Sequence, residues 1–206
     1  MKASILLIGG GGHCRACVDV LEQEGRFQIA GIVERYGGPR EAVLGYPVLG
    51  TDEDLTQLRE KYEFALVTVG QIKSATPRKR LYAQLISLGF QMPVVVSPRS
   101  YVSPHAKLGS GTIVMHDVLV NAGAQIGENC ILNSKSLIEH DAVIGDHCHI
   151  STGSILNGET QIGQESFVGS GAVVREGVRV GARSLVAGGA RVMRDLPENS
   201  NYKNPL

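Results

Sequence analysis

Residues 126–149 read IGENCI LNSKSL IEHDAV IGDHCH, four hexapeptides that each begin with an aliphatic residue. The same pattern continues in both directions without an insertion, so that sixteen hexapeptides follow one another. The second position of a hexapeptide is often glycine, and the fifth is usually alanine, serine, threonine or cysteine. The aliphatic positions are Val102, Leu108, Val114, Val120, Ile126, Leu132, Ile138, Ile144, Ile150, Leu156, Ile162, Val168, Val174, Val180, Val186 and Val192.

A period of six matches neither an α-helix, which repeats every 3.6 residues, nor a flat strand, which alternates every two. It is typical of a parallel β-helix, in which each hexapeptide supplies one short strand and one corner. Three hexapeptides then close a triangular coil, with the aliphatic side chains stacked inside and the small fifth residue beside them. Cys130 and Cys148 occupy that fifth position, so we expect them to be packing residues. Sixteen hexapeptides exceed the three or so repeats that a solenoid needs.

Residues 1–97 carry a different pattern, in which apolar strands alternate with amphipathic helices. This alternation predicts a parallel sheet in a small Rossmann-like α/β domain. We therefore divide the chain into this domain at 1–97, the β-helix at 98–197 and a C-terminal tail at 198–206. The expected strands are 3–9, 27–34, 64–69 and 93–96, and the expected helices are 15–24, 51–62 and 77–88.

Four glycines, Gly9–Gly12, follow the first strand. Backbone N–H groups of a glycine-rich loop at a helix N-terminus suit a pyrophosphate. The dinucleotide fingerprint is incomplete, because Arg15 stands where its third glycine would fall. On its own the loop is equally well explained as a tight strand-to-helix turn.

Composition excludes several classes of function. The formal net charge is zero, so we expect no nucleic-acid or anionic-membrane partner. No apolar run approaches the roughly 18 residues of a membrane span. Four cysteines are too few and too scattered for a disulfide framework, which indicates a cytoplasmic, reducing location. Cys14 and Cys17 form a CxxC pair, but no second pair follows, so neither a redox nor a metal site is expected.

His140 is the third residue of its hexapeptide, a corner position that points outward. His116 occupies the same position and is expected to be merely solvated, whereas His140 has Asp141 beside it. A carboxylate against an imidazole sets its tautomer and raises the basicity of the other nitrogen, which suits a general base. His147 and His149 flank the inward Cys148 and should both point outward, so we expect no metal cluster there.

Essentially the whole chain resembles one family. The resemblance rests on the hexapeptides, on the runs Ser136–Asp141 and Cys148–Ser151, and on the Gly-Gly-His motif that ends at His13. It is the bacterial sialic-acid O-acetyltransferase and pilin-glycan N-acetyltransferase family of hexapeptide-repeat enzymes. The resemblance implies that the β-helix is left-handed and that acetyl-CoA is the co-substrate. The triangular section of the prism favours a homotrimer, with acetyl-CoA in the groove between neighbours.

The resemblance also implies roles for individual residues. Some relatives hold the nucleobase with two acidic residues where this chain has Glu34 and Arg35, so the base is left open. Catalysis falls to His140 and Asp141. The resemblance assigns substrate binding to Gly10, Gly12, His13, Glu34, Arg35 and Asn133. It assigns acetyl-CoA binding to His149, Gly158, Ser170 and Gly188.

We expect from this an acetyl transfer to the amino group of a nucleotide-linked amino sugar, by direct attack in a ternary complex. O-acetylation of a sialic acid or its nucleotide form is the alternative, because the same motifs fit it. A non-catalytic scaffold or a zinc-binding carbonic-anhydrase relative is a third class. The zinc alternative is disfavoured, because the histidines at 140, 147 and 149 lack the wide spacing of those sites.

Overall fold

The computed structural model describes residues 2–39 and 41–203. Its N-terminal part comprises β1 (Ala3–Ile8), α1 (Gly12–Glu24), β2 (Phe27–Glu34), β3 (Val48–Thr51), α2 (Leu55–Arg59), β4 (Phe64–Val67) and α3 (Thr76–Ser87). The four strands form a parallel sheet in the order β3-β2-β1-β4. Strand β1 is buried on both faces, because helix α1 covers one and helices α2 and α3 cover the other. This explains its unbroken apolar sequence.

The rest of the described chain is a left-handed parallel β-helix of two-residue strands, a triangular prism. Each strand pairs with the strand one coil away, as Ile144 does with Ile126 and Ile162. The strands are β5 (Val95–Val96), β6 (Tyr101–Val102), β7 (Lys107–Leu108), β8 (Ile113–Val114), β9 (Leu119–Val120), β10 (Gln125–Ile126), β11 (Ile131–Leu132), β12 (Leu137–Ile138), β13 (Val143–Ile144), β14 (His149–Ile150), β15 (Ile155–Leu156), β16 (Gln161–Ile162), β17 (Phe167–Val168), β18 (Val173–Val174), β19 (Arg179–Val180), β20 (Leu185–Val186), β21 (Arg191–Val192) and β22 (Asn201–Tyr202).

The prism has three faces, which are sheets of seven, six and five strands. The seven-stranded face runs from β5 to β22, the six-stranded face from β6 to β21, and the five-stranded face from β7 to β19. The second residue of each strand points inward, and these residues form one continuous apolar core. The aliphatic ladder predicted from the hexapeptides is therefore confirmed.

The α/β domain packs on the seven-stranded face. Outward-facing Ile113 and Ile131 of that face share a core with Val18 and Leu21 of α1. The Tyr82 hydroxyl on α3 donates to Glu128 Oε2 over 2.8 Å at one edge of the same face. The two parts of the chain are thus joined by a packed interface.

Several sequence expectations need correction. The strand expected at 93–96 is β5, which pairs with β8 of the prism and not with the α/β sheet. The predicted tail 198–206 contains β22, which pairs with β20, so its described part continues the prism, and residues 204–206 lie outside the described residues. The sequence did not predict β3. Helix α2 is shorter than expected, because Asp54 accepts from Thr51 N over 2.8 Å and holds 51–54 in a turn.

Among residues 2–39 and 41–203, none of the helices combines the length and the apolar composition needed to cross a bilayer.

Candidate active site

The glycine loop lies at the edge of a cavity of about 590 Å³ in the α/β domain. Strands β1, β2 and β4 end here, and α1 begins at Gly12, so the positive end of its dipole faces the cavity. Glu34 is held against the loop, since its Oε2 accepts from Gly10 N over 2.9 Å. The cavity brings together five of the residues assigned to the substrate: Gly10, Gly12, His13, Glu34 and Arg35.

His13 closes the inner end of this cavity and is uncharged. Burial, with help from Arg78 and His149, lowers its pKa to about 3. Its Nε2 lies 3.4 Å from the Cys17 thiol, whose own pKa is raised by burial, so the thiol donates to the imidazole. Both cysteines of the CxxC pair are buried and unlinked. Across the described residues, His, Cys, Asp and Glu form no group of three that could hold a metal ion.

His149 does point out of the prism, as predicted, but the α/β domain covers it. Its Nδ1 lies 2.6 Å from the Gln71 carbonyl, which only accepts, so Nδ1 carries the proton. Nε2 is then the acceptor for Asn133 Nδ2 at 3.2 Å. Burial lowers the pKa of His149 to about 4, so the ring is neutral. No pattern in the sequence indicated Gln71, because His149, the partner of its carbonyl, lies 78 positions away.

His140 and Asp141 lie at the corner between the six- and five-stranded faces. His140 Nδ1 is 3.0 Å from Asp141 Oδ2, and 56% of the His140 side chain is exposed. The hydrogen bond to Asp141, with the charges of Glu139 and Glu159, raises the pKa of His140. An Nδ1–H that donates to Asp141 leaves the Nε2 lone pair free to accept a proton.

Two glycines one coil away make room for this pair. A Cβ on Gly158 would stand 2.6 Å from His140 Nε2, and a Cβ on Gly123 would overlap Asp141 Oδ1. Gly158 was assigned to acetyl-CoA, and the structure adds that its missing side chain leaves the reactive nitrogen uncovered. Within the described residues, the Gly158 N–H has no hydrogen-bond acceptor, and the residue is buried beside the His140 ring.

The remaining assigned residues lie at another corner, between the seven- and six-stranded faces. Asn133 and Ser170 are here, with Ser170 Oγ 2.9 Å from Ser151 Oγ, and Gly188 lies one coil above Ser170. The α/β domain covers the face opposite His140. One chain therefore does not bring the glycine-loop cavity together with His140.

His116 is not solvated as the sequence analysis expected. Its Nδ1 lies 2.6 Å from Ser97 Oγ and its Nε2 lies 2.7 Å from Asp19 Oδ2 on α1. This imidazole joins the prism to the α/β domain, because α1 packs beside it. It has a carboxylate partner as His140 does, but it faces the domain interface.

Three family models match the chain: the PglD N-terminal domain at residues 4–85, the bacterial transferase hexapeptide at 123–158, and the hexapeptide repeat of succinyl-transferase at 159–194. No curated protein matches it by sequence. A mutant of perosamine N-acetyltransferase from Caulobacter crescentus, solved with CoA and GDP-perosamine, is 35% identical and has a TM-score of 0.90. That alignment covers 96% of this chain and 92% of the Caulobacter chain.

A second similar structure is the acetyltransferase domain of PglB from Neisseria gonorrhoeae in complex with acetyl coenzyme A. It is 31% identical, with a TM-score of 0.88, and the alignment covers 97% of this chain and 95% of that one. Both similarities span the α/β domain and the prism together.

Proposed function

Because the chain belongs to the hexapeptide-repeat sugar acetyltransferases that carry a PglD-type N-terminal domain, we propose that it acetylates the amino group of a nucleotide-activated amino sugar. Acetyl-CoA is the acetyl donor, and the product is a building block for a bacterial surface glycan. The observation that carries the proposal is that the same chain contains both a glycine-loop cavity and a His–Asp pair on a hexapeptide prism. We also propose a cytoplasmic location, where acetyl-CoA and nucleotide sugars are both available.

A homotrimer is the assembly that the surface of the prism favours. The six-stranded face is uncovered, and its outward ladder is apolar over five strands, whereas the five-stranded face is mostly polar. A ladder of this kind is best buried against other copies of the same face around a three-fold axis. The apolar ladder is Tyr101, Leu119, Leu137, Ile155 and Val173.

This packing would complete the active site. When three prisms turn the six-stranded face to a common axis, the His140 corner of one meets the Asn133 and Ser170 corner of the next. The sugar held in one α/β domain then reaches a histidine of the neighbouring chain, and acetyl-CoA lies in the groove between them. A shared site resolves the separation of His140 from the cavity in one chain.

In the proposed mechanism, His140 Nε2 takes the proton from the amine as its nitrogen attacks the thioester carbonyl. The C–S bond then breaks, and the His140 imidazolium gives the proton to the departing CoA thiolate, which leaves as the free thiol. Asp141 keeps the proton on Nδ1 and stabilises the imidazolium that forms. In this mechanism the Gly158 N–H, which has no acceptor among the described residues, donates to the carbonyl oxygen as negative charge develops there. General-base help of this kind contributes about 10²–10⁴ in rate.

The experiment that tests the function is a screen of UDP-, GDP-, dTDP- and CMP-linked sugars with acetyl-CoA, read by mass spectrometry. We expect one acetyl group on the nitrogen of an amino sugar. An acetyl group on a hydroxyl of a sialic acid would show that the enzyme is an O-acetyltransferase and would contradict N-acetylation. No turnover on any sugar would favour a non-catalytic scaffold.

The shared site is tested by mixing two inactive variants. His140→Ala removes the base, and Gly10→Asp fills the glycine-loop cavity, where a Cβ already meets Glu34 Oε2 at 2.8 Å. Mixed trimers should recover part of the activity, because some sites combine an intact histidine with an intact cavity. A fully active monomer by light scattering, or no recovery in mixtures that exchange subunits, would rule out the shared site.

A further inference from the structure

Arg78 on α3 is a buried cation without a carboxylate partner among the described residues. Its side chain is 0% exposed, and all its hydrogen bonds go to neutral backbone carbonyls. Nη1 donates to Val67 O over 2.7 Å and to Val69 O over 2.9 Å, while Nε donates to Asn129 O over 3.3 Å. Nη2 has no partner. Burial lowers the pKa of Arg78 to about 10, which still leaves it charged at neutral pH.

This charge lies directly behind one wall of the glycine-loop cavity. The wall is the segment 68–70 that follows β4, and Arg78 itself is outside the lining. Thr68 Oγ1 donates to Gly9 O over 2.7 Å, so the same segment is joined to the glycine loop. The guanidinium is therefore separated from the cavity by a single stretch of backbone.

The groups around Arg78 do not neutralise it. His13 and His149 are both neutral through burial. The two buried thiols that act on the guanidinium, Cys17 and Cys130, keep their protons, because burial raises the pKa of Cys17 and Cys130 Sγ donates to Gly145 O over 3.2 Å. Within the cavity, the Glu34 oxygens accept backbone N–H groups, and Asp52 Oδ2 lies 3.3 Å from Arg80. In surroundings of low dielectric constant an uncompensated charge projects a strong potential into the nearest open space. That space is the glycine-loop end of the cavity.

We propose that Arg78 supplies, from behind the cavity wall, the fixed positive charge that binds the diphosphate of the nucleotide sugar. It acts through space, without touching the ligand, and it adds to the N–H groups of the glycine loop and α1. A diphosphate then provides the counter-charge that the folded chain lacks. The bond to Asn129 O holds the guanidinium between the α/β domain and the prism. This inference rests on the proposed function, because it assumes that a nucleotide sugar occupies the cavity.

The test compares the affinity of a nucleoside diphosphate with that of the matching nucleoside, by calorimetry. The probes are UDP against uridine and GDP against guanosine, with wild type, Arg78→Met and Arg78→Lys. A unit charge about 8 Å away at an effective dielectric constant near 20 corresponds to roughly thirtyfold in affinity. We expect Arg78→Met to weaken diphosphate binding about ten- to thirtyfold and to leave nucleoside binding within about twofold. Arg78→Lys keeps the charge and should lose less.

Arg59→Met is the matched control, because Arg59 also donates to a carbonyl, Gly89 O at 2.9 Å, away from the cavity. It should change neither affinity. If Arg78→Met does not fold, Arg78→Gln, which can still donate to a carbonyl, replaces it in the comparison. Equal loss of diphosphate and nucleoside binding, or no loss of either, would overturn the inference alone. Failure of wild type to bind any nucleoside diphosphate would overturn the proposed function and this inference with it.

Discussion

Gly158→Ala places a methyl group against the nitrogen of His140 that would accept the proton. The new Cβ would lie 2.6 Å from Nε2 and 2.7 Å from Cε1, where ordinary contacts begin at 3.4 Å, so the ring must move by about 1 Å. The His140 side chain is 56% exposed, so the ring can swing outward. The free energy of unfolding should therefore change by less than about 0.5 kcal/mol. A displacement of about 1 Å costs about 10² in rate, or about 2.7 kcal/mol.

The assay follows thiol release from acetyl-CoA with the acceptor found in the screen. We expect Gly158→Ala to lower kcat about 10²-fold with an unchanged melting temperature. The control is the double variant with His140→Ala, in which the added methyl group has no imidazole to displace. There Gly158→Ala should lower kcat less than about threefold. A loss of similar size in both backgrounds, or almost no loss beside an intact His140, would show that the added methyl group does not act by displacing the imidazole.

Replacing buried Ile144 with aspartate should prevent cooperative melting, because an unpaired carboxylate in the ladder costs several kcal/mol, whereas Val143→Asp on the outer surface should melt normally. Burial lowers the pKa of His149 to about 4, so below pH 6.5 the unfolded chain is protonated first. His149 alone should then lower the free energy of unfolding by up to about 1.4 kcal/mol per pH unit until about pH 4, in addition to the contribution of buried His13. Urea titrations of His149→Gln should therefore give a shallower slope that still contains the His13 contribution. If the free energy of unfolding of His149→Gln falls with pH as steeply as that of wild type, groups other than His149 cause the loss of stability. Asp141 raises the pKa of His140, so in Asp141→Asn the rise of kcat with pH should move to lower pH, and a profile that stays in place would contradict this role.

Much of the candidate site could be predicted because it is local in the chain. Neighbouring positions are enough to place Asp141 beside His140, and a glycine loop between a strand and a helix is enough to place Gly10, Gly12 and His13 on one cavity. What the sequence could not predict are the contacts between the domains. Arg78 reads as an ordinary basic residue of an amphipathic helix, and its burial depends on a prism corner 51 positions away.

The hexapeptide pattern alone was enough to predict the prism, because every hexapeptide supplies one inward aliphatic residue, and the burial of that residue depends only on its own coil and the coils next to it. The sequence also determined the parallel sheet, through one strand apolar on both faces. The protonation and exposure of the outward histidines depend instead on how the α/β domain packs against the prism. An outward position is exposed unless something covers it, and on the seven-stranded face the cover is the α/β domain. That packing buries His149 under Gln71, ties His116 to Asp19 and leaves His140, on the opposite corner, open to solvent.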